Sequence, residues 1–323
     1  MSAVSEKSLA LVGHGAAARE WADAVAELPE LRLAGGVESD PARRVELAAR
    51  GVPAFAGVAE LVRAQGAPDV AILCTPPALR LETAEPLLRA GTDLLIEPPL
   101  ATIPDDADRI AELAERLDRV AMTAGRFRGE PALERAVAQL ARGAIGRLCA
   151  LEVALAHKRH VEGDWRGDPS LSGGGAWLEL GSDALDVAER LAGPVRRVRM
   201  LESAATQGAE VEDEVRIETD HGDGLRGTLR LSWNESPSRP LARCVGDRGE
   251  LSIGWARSSL SREDGGREVL PGVRDAHAAH LGVLVDFLRE RRSRERSVDA
   301  GAQALAWLHA GYRSFTSGRF ELA

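Results

Sequence analysis

Ser8-Leu9-Ala10-Leu11-Val12-Gly13-His14-Gly15-Ala16-Ala17-Ala18 sets the fold of the N-terminal third. The first five residues are a short apolar run, suited to a strand covered on both faces. Gly13 and Gly15 let the backbone turn tightly and approach a ligand, and an amphipathic stretch then runs to Leu28. Strand, glycine turn and helix in that order offer free N–H groups and the positive end of a helix dipole to a pyrophosphate. The next apolar stretch, Leu31 to Val37, ends in Glu38-Ser39-Asp40. A carboxylate at Glu38 can accept hydrogen bonds from the adenosine ribose hydroxyls and would repel a 2′-phosphate, which favours NAD over NADP.

Outward from this stretch, strands and helices alternate. Pro41 to Arg50 reads as a helix with Asp40 as N-cap and Pro41 at its first position. Val70 to Cys74 and Leu94 to Ile96 are buried strands, Leu79 to Ala90 is a helix stopped by Gly91, Pro104 to Leu117 is a helix, and Val120 to Thr123 is a strand. This pattern predicts a Rossmann-type doubly wound parallel sheet over residues 1–124. The alternative reading of the glycine motif is a tight turn in such a domain that no longer binds nucleotide.

From residue 125 the pattern changes, and residues 125–323 read as a second, α+β domain. Pro131 to Ala141 and Ala176 to Leu191 are helices. Arg147 to Ala156, Val195 to Ser203, Glu212 to Glu218, Leu225 to Ser232, Ala242 to Val245 and Glu250 to Ile253 are extended. Turn signals such as His221-Gly222-Asp223-Gly224 separate the later strands, which predicts an open, largely antiparallel sheet. Asp275 to Arg291 and Val298 to Thr316 read as helices, joined by a charged, solvated stretch from Arg289 to Arg296; the last helix is a candidate to pack back on the first domain. Two such domains predict a cleft with the substrate on the second sheet.

Composition narrows the function. The 41 Lys+Arg against 50 Asp+Glu give a net charge of −9, which argues against a nucleic-acid surface. No apolar run is long enough for a membrane span, and Met1 to Lys7 has no secretory h-region. Cys74, Cys149 and Cys244 are odd in number and form no C-x-x-C pair, so three buried reduced thiols, no metal site and a cytoplasmic location are expected. Lys7 and Lys158 are the only lysines, so amine chemistry has few candidates.

The ordered motifs along nearly the whole chain resemble the Gfo/Idh/MocA oxidoreductase family. They are Gly13-His14-Gly15, Thr75-Pro76-Pro77, Glu97-Pro98-Pro99-Leu100-Ala101, Arg126-Phe127, Trp165-Arg166, Gly173-Gly174-Gly175, Glu179-Leu180-Gly181-Ser182-Asp183 with Asp186, Glu212-Asp213, Gly246 to Gly249, and Tyr312-Arg313-Ser314. The resemblance implies a small-molecule substrate, a sugar, cyclitol or related polyol, oxidised or reduced at a hydroxyl or carbonyl. It implies a homo-oligomer packed through the open sheet. The cofactor set it implies is Gly13, His14, Gly15, Ala16, Glu38, Thr75, Pro76, Glu97 (beside the nicotinamide ribose), Pro98, Arg126, Trp165 and Arg166.

Departures fall at the acid/base positions. The family's Glu-Lys-Pro reads Glu97-Pro98-Pro99, and proline has no donor. The family's catalytic histidine is replaced by Asp183, and a further family histidine aligns with Arg80. The proton-transfer candidates left are Asp183, Lys158, Glu179 and His160, the second and fourth within His157-Lys158-Arg159-His160. The bland alternatives are a solvated basic loop for that run, a salt bridge from Asp183 to Arg80 or Arg166, and core packing for Trp165. Three functions therefore stand: an NAD-dependent oxidoreductase with relocated acid/base groups, a silent NAD- or metabolite-binding sensor or partner protein, and a redox-neutral lyase or glycosidase that uses NAD transiently.

Overall fold

A computed structural model describes residues 6–127, 129–273, 276–289 and 298–323. The chain divides into two compact units, Met1–Gly125 with Ala276–Ala302, and Arg126–Asp275 with Gln303–Ala323. The division falls after Gly125, and residues 276–302 return to the first unit.

The first unit is a six-stranded parallel sheet. Its strands are β1 (Lys7–Val12), β2 (Leu31–Val37), β3 (Ala54–Phe55), β4 (Val70–Leu73), β5 (Asp93–Ile96) and β6 (Ala121–Thr123), in the spatial order β3-β2-β1-β4-β5-β6. Helices α1 (Ala16–Ala26), α2 (Pro41–Ala49), α3 (Val58–Gln65), α4 (Arg80–Ala90) and α5 (Pro104–Arg116) connect them. This is the doubly wound order, and the direction of winding reverses between β1 and β4, where such sheets bind ligands beyond their carboxyl ends. Asp40 caps α2 by accepting from Ala42 N at 2.8 Å, as the sequence predicts. The core joins Leu9, Leu11, Trp21, Val25, Ile72, Leu95 and Met122 to Val283, Leu284 and Phe287 of α9 (Ala276–Arg289). So α9, the penultimate helix, packs on the first unit, and α10 (Val298–Ser317) begins there and ends in the second.

The second unit is an eight-stranded sheet in the order β14-β13-β12-β11-β7-β10-β9-β8. Its strands are β7 (Leu148–Ala156), β8 (Arg197–Ala204), β9 (Glu214–Gly222), β10 (Leu225–Ser232), β11 (Ala242–Gly246), β12 (Gly249–Ile253), β13 (Arg257–Arg262) and β14 (Arg267–Pro271). Every ladder is antiparallel except the central one between β7 and β10. Helices α6 (Pro131–Ala141), α7 (Pro169–Ser172) and α8 (Ala176–Ala192) belong to this unit. Leu151, Val153 and Leu155 of β7 are buried while Ala150 and Glu152 are exposed, the period-2 mark of a sheet with one covered face.

Several expectations need correction. The β3 and α3 pair and the β13–β14 hairpin were not foreseen. The hairpin reads Arg-Ser-Ser-Leu-Ser-Arg and Arg-Glu-Val-Leu-Pro, polar segments at a sheet edge whose only inward positions on β13 are Ser258 and Leu260. The strand expected from Glu212 begins at Glu214, because the Glu212 and Asp213 side chains satisfy loop and helix-end N–H groups. The cysteines are free, but only Cys244 is fully buried; Cys74 is partly buried and Cys149 is exposed on β7. The charged stretch from Arg289 to Arg296 lies, beyond its first residue, outside the described residues. Among the described residues no helix is long and apolar enough to cross a membrane.

Candidate active-site residues in the two units

In the first unit, Gly13 follows β1 with φ +89°, and a Cβ there would stand 3.0 Å from the Cys74 carbonyl group and Thr75 N. The ends of β1 and β4 therefore touch at the point of reversed winding, and only glycine fits between them. Gly15, two residues on, is different: it begins α1 with ordinary φ −82°, and a Cβ there would meet nothing within 4 Å. No side chain caps α1, and its first turn holds no acidic residue. Thr75 Oγ1 and His14 Nδ1 are buried beside this turn with no hydrogen-bond partner. An open, uncapped helix N-terminus with unsatisfied polar atoms beside it fits a dinucleotide pyrophosphate. Ala16 follows this turn in sequence, and Pro76 follows Thr75.

The Glu38 carboxylate, at the end of β2, accepts from His14 N and Asp40 N, both at 2.9 Å. It is thus fixed beside the glycine turn with oxygen lone pairs to spare, as ribose recognition needs. Burial, with Arg19 adding to it, lowers the His14 pKa, so its ring is neutral there.

The next strand ends are knit together. Arg80, 2% exposed, donates to the carbonyls of Thr75 at 2.7 Å, Leu73 at 3.1 Å and Glu97 at 2.6 Å. The Glu97 carboxylate accepts from Trp21 Nε1 at 2.6 Å and lies 4.0 Å from His280 Nε2. The resemblance puts Glu97 at the nicotinamide ribose; in the structure its carboxylate is engaged by this tryptophan and histidine. Pro98 leads into a cis Pro98–Pro99 peptide and offers no hydrogen-bond donor.

In the second unit the polar centre is Glu179 on α8. Its Oε1 accepts from Arg159 Nη1 at 2.9 Å and Arg166 Nε at 2.8 Å, and its Oε2 from Trp233 Nε1 at 2.8 Å. Burial alone would raise the Glu179 pKa; the Arg159 and Arg166 guanidiniums outweigh it and hold the carboxyl below its ordinary range. Arg166 also binds Asp164 and lies 4.3 Å over the Trp165 ring, while Asp164 caps the Trp165–Gly167 turn. Trp165 is half-buried rather than a core residue. Asp183, one helical turn beyond Glu179, accepts from Arg126 N at 3.4 Å. Arg166, one of the two partners expected for an Asp183 salt bridge, binds Asp164 and Glu179.

Two of the proton-transfer candidates lie away from this centre. Lys158 is exposed, and His160 is exposed with its Nε2 3.2 Å from Glu162. Their neighbour Arg159 is half-buried instead, and its Nη2 contacts Nδ1 of the exposed His157 at 2.7 Å. His157 N and Arg159 N bond to the carbonyls of Ser232 and Trp233, both at 2.9 Å, so the extended conformation of β7 continues past its end. Past Ala156 the alternation of Leu151, Val153 and Leu155 loosens: Arg159 is half-buried, whereas His157 is exposed.

Two further buried carboxylates, Glu212 and Asp213, are braces. Glu212 accepts from Gly175 N at 3.1 Å, Trp177 N at 3.0 Å and the Tyr312 hydroxyl at 2.9 Å, closing the start of α8; burial raises its pKa. Asp213 accepts from Thr206 N at 2.6 Å, Gln207 N at 2.7 Å and Asn234 Nδ2 at 3.0 Å. Among the described residues no group of three or more His, Cys, Asp or Glu side chains is arranged to hold a metal ion.

Comparison with known proteins agrees with this picture. Residues 7–124 match the model of an oxidoreductase family with an NAD-binding Rossmann fold, and residues 133–252 match that of the GFO/IDH/MocA C-terminal domain. A protein of Amycolatopsis mediterranei named as a UDP-kanosamine synthase oxidoreductase subunit is 29% identical over 257 residues, 72% of this chain and 70% of that one. The rhizopine catabolism protein MocA of Rhizobium meliloti is 25% identical over 234 residues, 71% of this chain and 72% of its own. In fold, the WlbA dehydrogenase of Bordetella pertussis, solved with NADH and UDP-GlcNAcA, superposes with a TM-score of 0.81 at 22% identity over 98% of this chain and 99% of that one.

Proposed function

The chain belongs to the Gfo/Idh/MocA family of NAD(P)-dependent oxidoreductases, and from that premise we propose that it is an NAD-dependent dehydrogenase of a sugar, cyclitol or related polyol whose proton-handling groups have moved from the family's usual positions. The observation that carries this is the first unit's ligand end: open space above Gly15, an uncapped α1 and the fixed Glu38 carboxylate. The names of the relatives, among them D-xylose and levoglucosan dehydrogenases, support a sugar-like substrate.

Bound there, a nicotinamide would take a hydride from a substrate C–H, leaving the hydroxyl proton for a base. We assign that proton to the Asp183 carboxylate. Glu179, ion-paired to two guanidiniums, has too little proton affinity, and Lys158 and His160 are exposed. Pro98 favours one competing reading, a catalytically silent NAD- or metabolite-binding protein, because no donor stands where the family has its lysine.

Calorimetric titration of nucleotide-stripped protein tests the first half. NAD⁺ should bind at least about tenfold more tightly than NADP⁺, a difference of roughly 1.4 kcal/mol from Glu38 against the 2′-phosphate. Equal affinities would remove that role from Glu38. NADH formation over a panel of aldoses, cyclitols and UDP-sugars tests the second half, and binding without any turnover would favour the silent reading.

Assembly and location extend the same proposal. The outward residues of the eight-stranded sheet, among them Ala150, Glu152, Arg226 and Arg230, stay exposed and offer a face for a second copy. Light scattering should find a dimer or larger species, and a monomer at micromolar concentration would rule this face out as a stable contact. Three free cysteines suit the reducing cytoplasm.

A further inference from the structure

We propose that Arg44 is a positioning residue for cofactor choice. Its guanidinium clamps the turn after β2, presets the Glu38 carboxylate for the adenosine ribose, and makes the preference for NAD over NADP depend on α2 as well as on Glu38. The inference rests on the NAD reading above and lies wholly within the first unit.

Each polar group of Glu38 is tied down. Its N–H donates to the Phe55 carbonyl at the end of β3, at 2.9 Å. Its carboxylate accepts from His14 N through Oε2 and from Asp40 N through Oε1. Its own carbonyl accepts from Arg44 Nη1 at 2.8 Å, and the same Nη1 donates to the Ser39 carbonyl at 2.6 Å. The second of these bonds matters most. The Ser39 carbonyl and the Asp40 N–H belong to one planar peptide. Arg44 holds the oxygen of that peptide, and its N–H holds the Glu38 carboxylate. The guanidinium therefore sets the direction of a donor that fixes the ribose-binding group.

Helix stability does not account for this arrangement. Arg44 N makes the first backbone bond of α2, to the Asp40 carbonyl at 3.0 Å, so the side chain starts from the positive end of the helix. A cation there opposes the helix dipole and costs about 0.3–1 kcal/mol. The half-buried guanidinium instead turns back across the N-cap to the two carbonyls that precede it. Two consequences bear on a 2′-phosphate. A clamped Glu38 cannot swing aside, so the phosphate would meet a fixed carboxylate. The guanidinium that could have paired with that phosphate is engaged by backbone oxygens.

Calorimetric titration with NAD⁺ and NADP⁺ tests this on the nucleotide-stripped protein and its variants. In Arg44→Met, NAD⁺ should bind about tenfold more weakly because the carboxylate is no longer preset. NADP⁺ should stay within about threefold, since a loosened Glu38 can yield to the 2′-phosphate. The preference for NAD should shrink accordingly, with the melting temperature held to within about 3 °C. Arg44→Lys keeps a charged donor for the carbonyls and should recover most of the preference. In a Glu38→Ala background there is no carboxylate to place, so adding Arg44→Met should change neither affinity by more than about twofold. An unchanged preference in Arg44→Met would overturn the proposal. So would an NADP⁺ affinity that falls further than that of NAD⁺, which would make Arg44 a phosphate-binding arm, or an equal effect of Arg44→Met with and without Glu38. If the unaltered protein binds neither nucleotide, or both equally, the NAD reading fails and the proposal with it; a preference present in the unaltered protein and intact in Arg44→Met fails the proposal alone.

Discussion

Gly15→Asp should abolish NAD⁺ binding and leave the fold unharmed. The residue has the extended backbone of an N-cap, φ −82° and ψ −169°, which any L-residue adopts. A Cβ meets nothing within 4 Å, so the side chain enters open space. Aspartate is also among the preferred N-caps, and replacing glycine with it stabilises a helix by a few tenths of a kcal/mol. The melting temperature should hold or rise slightly. The same carboxylate takes over the N–H groups that a pyrophosphate would use and repels its charge, which at close range and partial burial is worth about 3 kcal/mol or more. Affinity should fall at least about 100-fold. Gly13→Ala makes the contrast: with φ +89° and the Cys74 carbonyl 3.0 Å from the new Cβ, it should cost stability, about 1–2 kcal/mol from the left-handed backbone alone. Calorimetry and thermal melting on the two variants separate the roles. If Gly15→Asp binds NAD⁺ within a few-fold of the unaltered protein, the space above Gly15 is not the pyrophosphate site.

The first unit was legible because its signals are local. An apolar run, a glycine turn and an N-cap such as Asp40 each act within a few residues, and the observed β2 coincides with Leu31–Val37 as read. Its short β3 escaped because two residues carry no period. The second unit was legible only as a list of strands. That β7 pairs in parallel with β10 is decided by packing between distant segments and not by either strand. The candidate site divides in the same way. Gly13, Gly15 and Glu38 could be placed from order along the chain. The environment of Glu179 could not, since its partners Arg159, Arg166 and Trp233 come from three separate segments and meet only through the sheet. Charge type alone points to Lys158 in this run, whereas the residue drawn into the Glu179 cluster is its neighbour Arg159.

Glu179→Gln should markedly destabilise the second unit. The carboxylate answers two guanidiniums and an indole N–H. Glutamine keeps one acceptor but adds an NH₂ that points a donor at donors. Arg166 retains Asp164, whereas Arg159 loses its anion with its side chain only 16% exposed. Breaking a buried pair from one side costs about 3–5 kcal/mol. A fifth of the Glu179 side chain remains accessible, so solvent screening reduces this to about 2–3 kcal/mol. For a domain of this size the melting temperature should fall by about 5–10 °C. The pH dependence has a definite sign. The folded pKa lies below the ordinary 4.5, so the stabilisation is complete above that value and is lost as pH falls through the lowered folded pKa. The gap in melting temperature between the two proteins should therefore be constant near neutral pH and shrink below about pH 4.5. A Glu179→Gln protein that melts like the unaltered one but has lost turnover would make Glu179 a proton-transfer group instead of the brace for Arg159.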